Sequence, residues 1–163
     1  MKKVIIAFLI GGILGGGAGF GAGIFLFPFL FQSDIVAIEA PPEGGTMEVV
    51  ATGRFIHADP SDSLHYGKGK LTVYGDTIHL GADFEVGPGP KYRVYLVDIA
   101  DIKESDDVKN ANFVDIGPLR AFKGSQNYKI PANVSLGDYK SVVIWCEAFG
   151  VLVSPANLEF TGS

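Results

Sequence analysis

The chain has 163 residues and a formal net charge of −5, with 47% hydrophobic and 19% charged residues. This length suits one ordinary domain, and the composition excludes an acidic disordered chain and a coiled coil. The 22 glycines and 9 prolines are typical of a turn-rich β fold.

An uncharged run occupies the N-terminus. It extends for 28 residues from Val4 to Phe31 and follows Lys2 and Lys3. As a helix, Val4 to Phe27 would extend about 36 Å, more than the roughly 30 Å of a bilayer's hydrocarbon core. We predict an uncleaved signal anchor that crosses the membrane, with the two lysines in the cytoplasm and the rest of the chain on the extracytoplasmic side. The alternative is a cleaved signal peptide, but this run is longer than a usual h-region and lacks a good A-x-A-like site.

Four glycines recur every four residues in this segment. In a helix, each drifts only about 40° from the one before, so all four lie near one face. Such a face allows close approach of two helices and predicts self-association in the membrane. The alternative is that small residues are simply common in anchors of this kind. The residues are Gly11, Gly15, Gly19 and Gly23.

A polar stretch with several Pro and Gly residues follows the anchor, from Gln32 to Thr46. This composition is typical of a linker. We therefore divide the chain into an anchor (1–31), a linker (32–46) and a folded domain (47–163). Beyond the anchor, 11 basic and 18 acidic residues give a net charge of −7. That charge argues against nucleic acid or an anionic membrane surface as a partner.

Seven β-like runs bounded by turn residues make up most of the domain. We predict an all-β fold, an antiparallel β-sandwich or barrel, preceded by one transmembrane helix. A solvated connection, Ile102–Asn110, has room for a short helix. The predicted strands are Met47–His57, Lys68–Tyr74, Thr77–Val86, Tyr92–Asp98, Phe113–Leu119, Ser141–Glu147 and Leu158–Phe160.

Cys146 is the chain's one cysteine, so no intramolecular disulfide can form. Strand alternation places Cys146 on one face with Val142 and Ile144, and Trp145 on the other. Both faces are apolar, as in a central strand, and free cysteine is a common core residue. A lone thiol in an oxidising compartment is, however, a liability unless it is buried or used. The residue is therefore either packed in the core or functional.

The histidines are candidate ligands. A blue-copper site is excluded, because it needs a His and an axial ligand soon after the Cys, and residues 147–163 contain neither His nor Met. Haem iron held by Cys146, with His57 or His65 as the second axial ligand, remains open. Without a C-x-x-C-H motif the haem would not be covalently attached.

Other catalytic signatures are absent from the sequence. It contains no G-x-S-x-G, no H-E-x-x-H and no G-x-x-x-x-G-K-[ST]. Asp59, Asp62 and Asp83 match no calcium loop, so no metal site is predicted. A hydrolase or transferase has no residues to support it.

The order of the motifs between Val49 and Leu158 resembles the DM13 domain family. The motifs open with a G-x-F pattern and close with S-V-x-I-W-C, and their consistent order makes the resemblance more specific than any single motif. They are Gly53–Phe55, His65–Gly69, Leu80–Phe84, Gly89–Pro90, Val94–Leu96, Gly117–Leu119, Lys123–Tyr128, Ile130–Pro131 and Ser141–Cys146.

The resemblance implies a small extracytoplasmic β-sandwich proposed for electron transfer. Cys146 would act as a bare redox thiol or as a ligand to a prosthetic group such as haem. A working thiol needs a thiolate and solvent access. The neighbouring Glu147 is expected to raise the thiol pKa, unless a cation such as Lys123 or His65 approaches it.

Two functions are carried forward. In the first, the domain is a redox module that works through Cys146 with an unidentified redox partner, and Trp145 and Tyr128 are candidates to line an apolar cofactor pocket. In the second, the domain is a non-catalytic binding or structural module of the cell envelope, and Cys146 is a core residue.

Overall fold

A long helix begins near the N-terminus of the chain. The structure is a computed structural model that describes residues 1–27, 30, 35–42 and 48–162. Helix α1 spans Lys2–Phe27, and none of its residues is buried. It is the one helix in the described part of the chain that is long and apolar enough to cross a membrane. The predicted apolar helix is therefore present, and the predicted anchor end at Phe31 lies outside the described residues.

The regularly spaced glycines lie within α1. A Cβ added at Gly11, Gly15, Gly19 or Gly23 would meet nothing within 4 Å. Self-association of two copies through this face stays a prediction.

The remaining described residues include eleven strands, one short α-helix and a 3₁₀ helix at Leu136–Asp138. Helix α2 falls within the connection predicted to have room for one. The elements are β1 Val36–Ile38, β2 Val49–Phe55, β3 Gly67–Tyr74, β4 Thr77–Leu80, β5 Glu85–Val86, β6 Tyr92–Val97, α2 Ser105–Asn110, β7 Phe113–Pro118, β8 Lys123–Lys129, β9 Ser141–Cys146, β10 Val151–Asn157 and β11 Glu159–Phe160.

The strands form two sheets that pack face to face. One has seven strands in the order β1-β8-β4-β3-β2-β11, with β5 paired to β3 and β8, and the other has the order β10-β9-β6-β7. All pairs are antiparallel except β1 with β8. The predicted antiparallel β-sandwich is confirmed. Its main core lies between the sheets, where for example the Phe55 and Phe84 rings meet edge to face at 5.2 Å.

Three local differences from the predicted strands have clear physical reasons. The run Thr77–Val86 is two strands, because a turn intervenes in which the Phe84 N–H donates to the Gly81 carbonyl at 3.0 Å. Strand β8 was not predicted because its sequence is polar. Strand β10 was not predicted because it contains Pro155, which offers no N–H to a sheet.

Part of the stretch predicted as a linker is attached to the domain. Of residues 32–46, the structure describes 35–42, and Val36–Ile38 pairs in parallel with β8. The Glu39 carboxylate then accepts hydrogen bonds from the Arg120 guanidinium at 2.7 Å and from the Asn127 backbone N–H at 2.8 Å. The segment that leads from the anchor is thus fastened to the edge of the seven-stranded sheet. The boundaries of the three predicted units stay a prediction.

This fastening can be tested with Glu39→Ala. The substitution removes two hydrogen bonds that involve an ionised carboxylate, so we expect the free energy of unfolding to fall by about 1–2 kcal/mol. The measurement is urea unfolding of the full chain in detergent micelles. Glu159→Ala, on the exposed side of β11, is the control. Equal stability of the two variants would contradict the role of Glu39.

Candidate functional site

Strand β9 places Cys146 in the core. Strand β9 (Ser141–Cys146) lies between β10 and β6, and all six of its residues are buried. Alternation turns Val142, Ile144 and Cys146 into the main core, as the sequence predicted. Trp145 belongs to a second apolar cluster on the opposite face. The Cys146 side chain is consequently 0% exposed.

Cys146 also marks one end of the sandwich. It pairs with Tyr92, the first residue of β6, and the Tyr92 ring packs on Phe122 at 5.6 Å. Phe122 directly precedes Lys123, where β8 begins. We call this the Cys146 end. The opposite end lies about 17 Å away along β9, at Ser141, for a rise of about 3.4 Å per residue.

Polar backbone groups surround the sulfur. The Cys146 Sγ–H donates to the Pro90 carbonyl oxygen at 3.4 Å. The chain then turns back sharply, with the Gly150 N–H donating to the Cys146 carbonyl at 2.8 Å. In this turn the backbone N–H groups of Phe149 and Ala148 interact with the sulfur and favour its thiolate form. The site therefore has an acceptor for the thiol proton and donors for a thiolate.

Burial outweighs these donors and raises the pKa of the Cys146 thiol. The sequence attributed a raised pKa to Glu147, and that cause is wrong. The Glu147 side chain is exposed and lies 3.9 Å from the Lys91 ammonium. It therefore faces solvent, while the sulfur faces the core.

The two cations that the sequence suggested as neighbours of the Cys146 thiol are paired with carboxylates instead. Lys123 lies 3.6 Å from the Glu85 carboxylate, and the His65 ring contacts Asp62. Neither is among the causes that act on the thiol pKa.

The loop Gly87–Pro90 contacts the sulfur through the Pro90 carbonyl oxygen and is tightly packed. The Gly87 N–H donates to the Tyr66 carbonyl at 3.0 Å, and a Cβ on Gly87 would clash with the Leu64 carbonyl oxygen. A Cβ on Gly89 would clash with the Tyr92 hydroxyl group. Glycine is required at both positions by close approach, so any larger residue must displace the loop or its neighbours.

Two of the histidines converge on Asp62 beside this loop. The His65 Nδ1–H donates to the Asp62 carboxylate at 2.7 Å, and the His57 Nε2–H donates to the Asp62 carbonyl at 2.7 Å. The same carboxylate accepts the backbone N–H groups of Leu64 and His65. The hydrogen bond from the His65 ring, with help from these N–H groups, lowers the pKa of Asp62 to about 2. His79 is separate, because its ring contacts the Asn127 side chain at 2.7 Å.

The small cavity beside His65 has no room for a haem group. His65 lines a cavity of about 40 Å³ with Pro90, Tyr92 and Phe149, whereas pockets that hold cofactors measure about 300–1,000 Å³. The His57 Nε2 atom is already engaged with the Asp62 carbonyl. This cavity does not fit a porphyrin ring, and haem ligation by Cys146 with His57 or His65 stays a prediction. Among the described residues, no group of three or more His, Cys, Asp or Glu side chains is placed to hold a metal ion.

The aromatic residues considered for a cofactor pocket pack in the protein interior. Trp145 stacks on Tyr95 at 6.4 Å. Tyr128 donates its hydroxyl proton to Gln126 at 2.8 Å and lies under the Arg120 guanidinium. The residues that do enclose the sulfur, Pro90 and the turn at Phe149, were not singled out as site residues in the sequence. A Gly-Pro-Gly-Pro run beside a β-strand was the one signal for them.

The role of Asp62 can be tested with Asp62→Asn. The pKa of Asp62 is below its usual 3.8, so its stabilising effect is present above about pH 4 and is lost as the pH falls through about 2. We expect the variant to be less stable than the wild type at pH 5 and nearly equal to it at pH 2, by urea unfolding. The effect is modest, because the carboxylate is partly exposed. His65→Gln and the double variant complete a cycle, and simple additivity would contradict the pair.

Comparison with known proteins agrees with the motif order in the sequence. No curated protein and no solved structure matches the chain. A family model described as "Electron transfer DM13" matches residues 60–158, which include the loop Gly87–Pro90, Cys146 and the turn that follows it. This match covers more than half of the chain, and the chain therefore belongs to the DM13 family.

Proposed function

We propose that the protein is a membrane-anchored DM13 domain that takes part in electron transfer on the extracytoplasmic side, with Cys146 as its redox group. The family description supports the general function. The placement is supported by Lys2 and Lys3, which precede the apolar part of α1. Basic residues beside a membrane helix favour the cytoplasmic side, so the domain after the helix would lie across the membrane from them.

The observation that carries the proposal is the polar surroundings of a sulfur that is otherwise in the core. An inert core cysteine needs only apolar neighbours. The Cys146 sulfur instead donates to the Pro90 carbonyl oxygen at 3.4 Å, and the nearby backbone N–H groups of Ala148 and Phe149 favour its thiolate form. These groups accommodate both the thiol and the thiolate, which a residue that alternates between the two forms requires.

The chemistry proposed is thiol–disulfide exchange with a disulfide-bearing partner. The Cys146 thiolate attacks one sulfur of the partner disulfide, so that a mixed disulfide forms and the partner's S–S bond breaks. The leaving thiolate takes up the proton that Cys146 released. One thiol of a dithiol donor then attacks the Cys146 sulfur of the mixed disulfide, which releases the first partner as a dithiol and leaves the donor bonded to Cys146. The donor's other thiol attacks the donor sulfur of this bond, which forms the donor disulfide and returns Cys146 as a thiol. One disulfide is consumed and one is formed, and two electrons pass from the dithiol donor to the first partner.

Burial requires that the loop Gly87–Pro90 opens before the sulfur can react. Local opening of a loop exposes little surface and is therefore nearly independent of urea, whereas global unfolding depends steeply on urea. The dependence on urea distinguishes a site that opens from a residue that is reached only in the unfolded chain.

The corresponding experiment uses the full chain in detergent micelles with a chromogenic disulfide. We expect the reaction rate of Cys146 to be nearly constant at urea concentrations below the unfolding transition. Gly89→Ala should accelerate the reaction about tenfold, because overpacking against Tyr92 costs the closed loop about 1–3 kcal/mol. The matched control is Gly137→Ala, where an added Cβ meets nothing within 4 Å. Cys146→Ser gives the background.

The pH dependence follows from the raised thiol pKa. We expect the rate in the folded protein to keep rising at pH values above the usual thiol pKa of about 8.5, at which an unfolded chain is already levelling off. A reaction that follows the unfolding slope in urea and is insensitive to Gly89→Ala would overturn the redox proposal.

A second function is favoured by the complete burial of Cys146. Here the domain is a non-catalytic binding or structural module of the cell envelope, and the cysteine fills space in its core. Cys146→Leu should then destabilise the domain by about 1–3 kcal/mol, because overpacking forces neighbouring atoms apart. Under this function, Cys146→Ser would change the free energy of unfolding and would leave the affinity of the folded domain for its binding partners unchanged.

A further inference from the structure

Strand β1 fixes the end of the sandwich at which the chain arrives from the anchor. It runs parallel to β8, with Val36 opposite Lys123 and Ile38 opposite Ser125. The chain therefore enters β1 at the start of β8, which is the Cys146 end. The eight residues 28–35 between α1 and β1 span at most about 29 Å when fully extended. The Cys146 end is consequently the end that is tied closely to the helix.

The last turns of α1 lie against the same end. Gly19, Gly23 and Phe27 line a cavity with Pro90 and Lys91. Phe25 lines the small cavity beside Pro90, Tyr92 and Phe149. These contacts are a second observation, independent of the strand register, that places the loop above Cys146 beside the membrane helix.

The length of α1 agrees with this arrangement. Its 26 residues rise about 39 Å, against about 30 Å of hydrocarbon. An excess of about 9 Å allows the last turn of the helix, which includes Phe25 and Phe27, to reach the headgroup layer on the side of the domain.

Exposed apolar side chains lie at this end. Leu64 and Phe149 are 44% and 55% exposed, and Ile35 and Val36 are 51% and 54% exposed. Leu64 and Phe149 line the same small cavity as Pro88 and Gly89. At the opposite end, Phe113 is 47% exposed, and Ile99 is exposed close to Ser141, whose hydroxyl donates to its carbonyl at 2.8 Å.

We propose that the Cys146 end of the domain rests in the headgroup layer of the membrane that holds α1, with Leu64 and Phe149 reaching the acyl chains. Lys91 lies at the rim of this surface, with its side chain 71% exposed and its ammonium 3.9 Å from the Glu147 carboxylate. The rim cations Lys91 and Lys123 are each paired with a carboxylate, so the contact proposed is an apolar one, which suits an acidic domain that has no broad basic face. The inference rests on the spanning helix of the proposed function and is independent of whether Cys146 reacts.

The test uses the full chain reconstituted into vesicles of phosphatidylcholine brominated in the acyl chains, which quench tryptophan on contact. Three variants each add one tryptophan: Phe149→Trp and Leu64→Trp at the Cys146 end, and Ile99→Trp as the matched control at the opposite end. The wild-type chain, whose one tryptophan is Trp145, supplies the background. We expect a loss of the added emission for the first two variants and none for the third.

Two outcomes would overturn the inference and are distinguishable from each other. Vesicle flotation is measured on the same samples. A chain that floats with the vesicles but shows equal quenching at all three positions, or quenching at position 99 alone, contradicts the orientation and leaves the anchor intact. A chain that fails to float contradicts the anchor, and with it both the proposed placement and this inference. Neither outcome depends on the thiol reaction described above.

Discussion

The burial of β9 on both faces is the constraint on which the rest of the structure depends. A strand that lies between two sheet neighbours and carries apolar side chains on both faces needs a packing layer on each face of the sheet. The seven-stranded sheet covers the face that carries Cys146, and α2 with Ile102 covers the face that carries Trp145. The end of this strand is then the natural place for a protected group. Cys146 is the last residue of β9, so its sulfur lies at the edge of the core, beside the turn that follows the strand.

This position reconciles two properties that conflict at most sites. A reactive thiol needs a lowered pKa and access, whereas Cys146 is buried and its pKa is raised. The polar groups beside it come from segments that end strands, the Pro90 carbonyl before β6 and the turn after β9. Because these segments are at the surface, a small movement exchanges an apolar environment for a solvated one. Under the proposed redox function, packing at Gly89 and Tyr92 therefore contributes to the barrier to reaction, in addition to the raised pKa of the thiol.

The sequence predicted the sandwich and the central position of β9, because apolar alternation records burial directly. A buried polar side chain does not contribute to apolar alternation, so a strand that contains one is not predicted from this pattern. Strand β8 escaped prediction because Gln126 is buried and satisfies its amide by bonding to the backbone of Ala121. Strand β1 has three residues and exists because it meets an exposed edge. The cover over Cys146 depends on which loops meet in space, so only the Gly-Pro-Gly-Pro run hinted at it.

The register of β1 determines that the chain from α1 enters the domain at the end that carries Cys146. Had β1 run antiparallel to β8, the short connection from α1 would have arrived about 7 Å further along the sheet, because a three-residue strand is about that long. The parallel pairing instead leads the chain in beside Lys123, and the Glu39 carboxylate fastens it through Arg120 and Asn127. In the orientation proposed above, the loop beside Cys146 faces the same membrane that holds the helix. In this orientation a reactant would approach the loop along the plane of the bilayer. A partner that is itself bound to the membrane would reach the loop by diffusion in two dimensions rather than in three. The net charge of −7 beyond the anchor would be poorly placed on an anionic lipid surface, so the apolar contact of Leu64 and Phe149 is the interaction that has to hold the domain there.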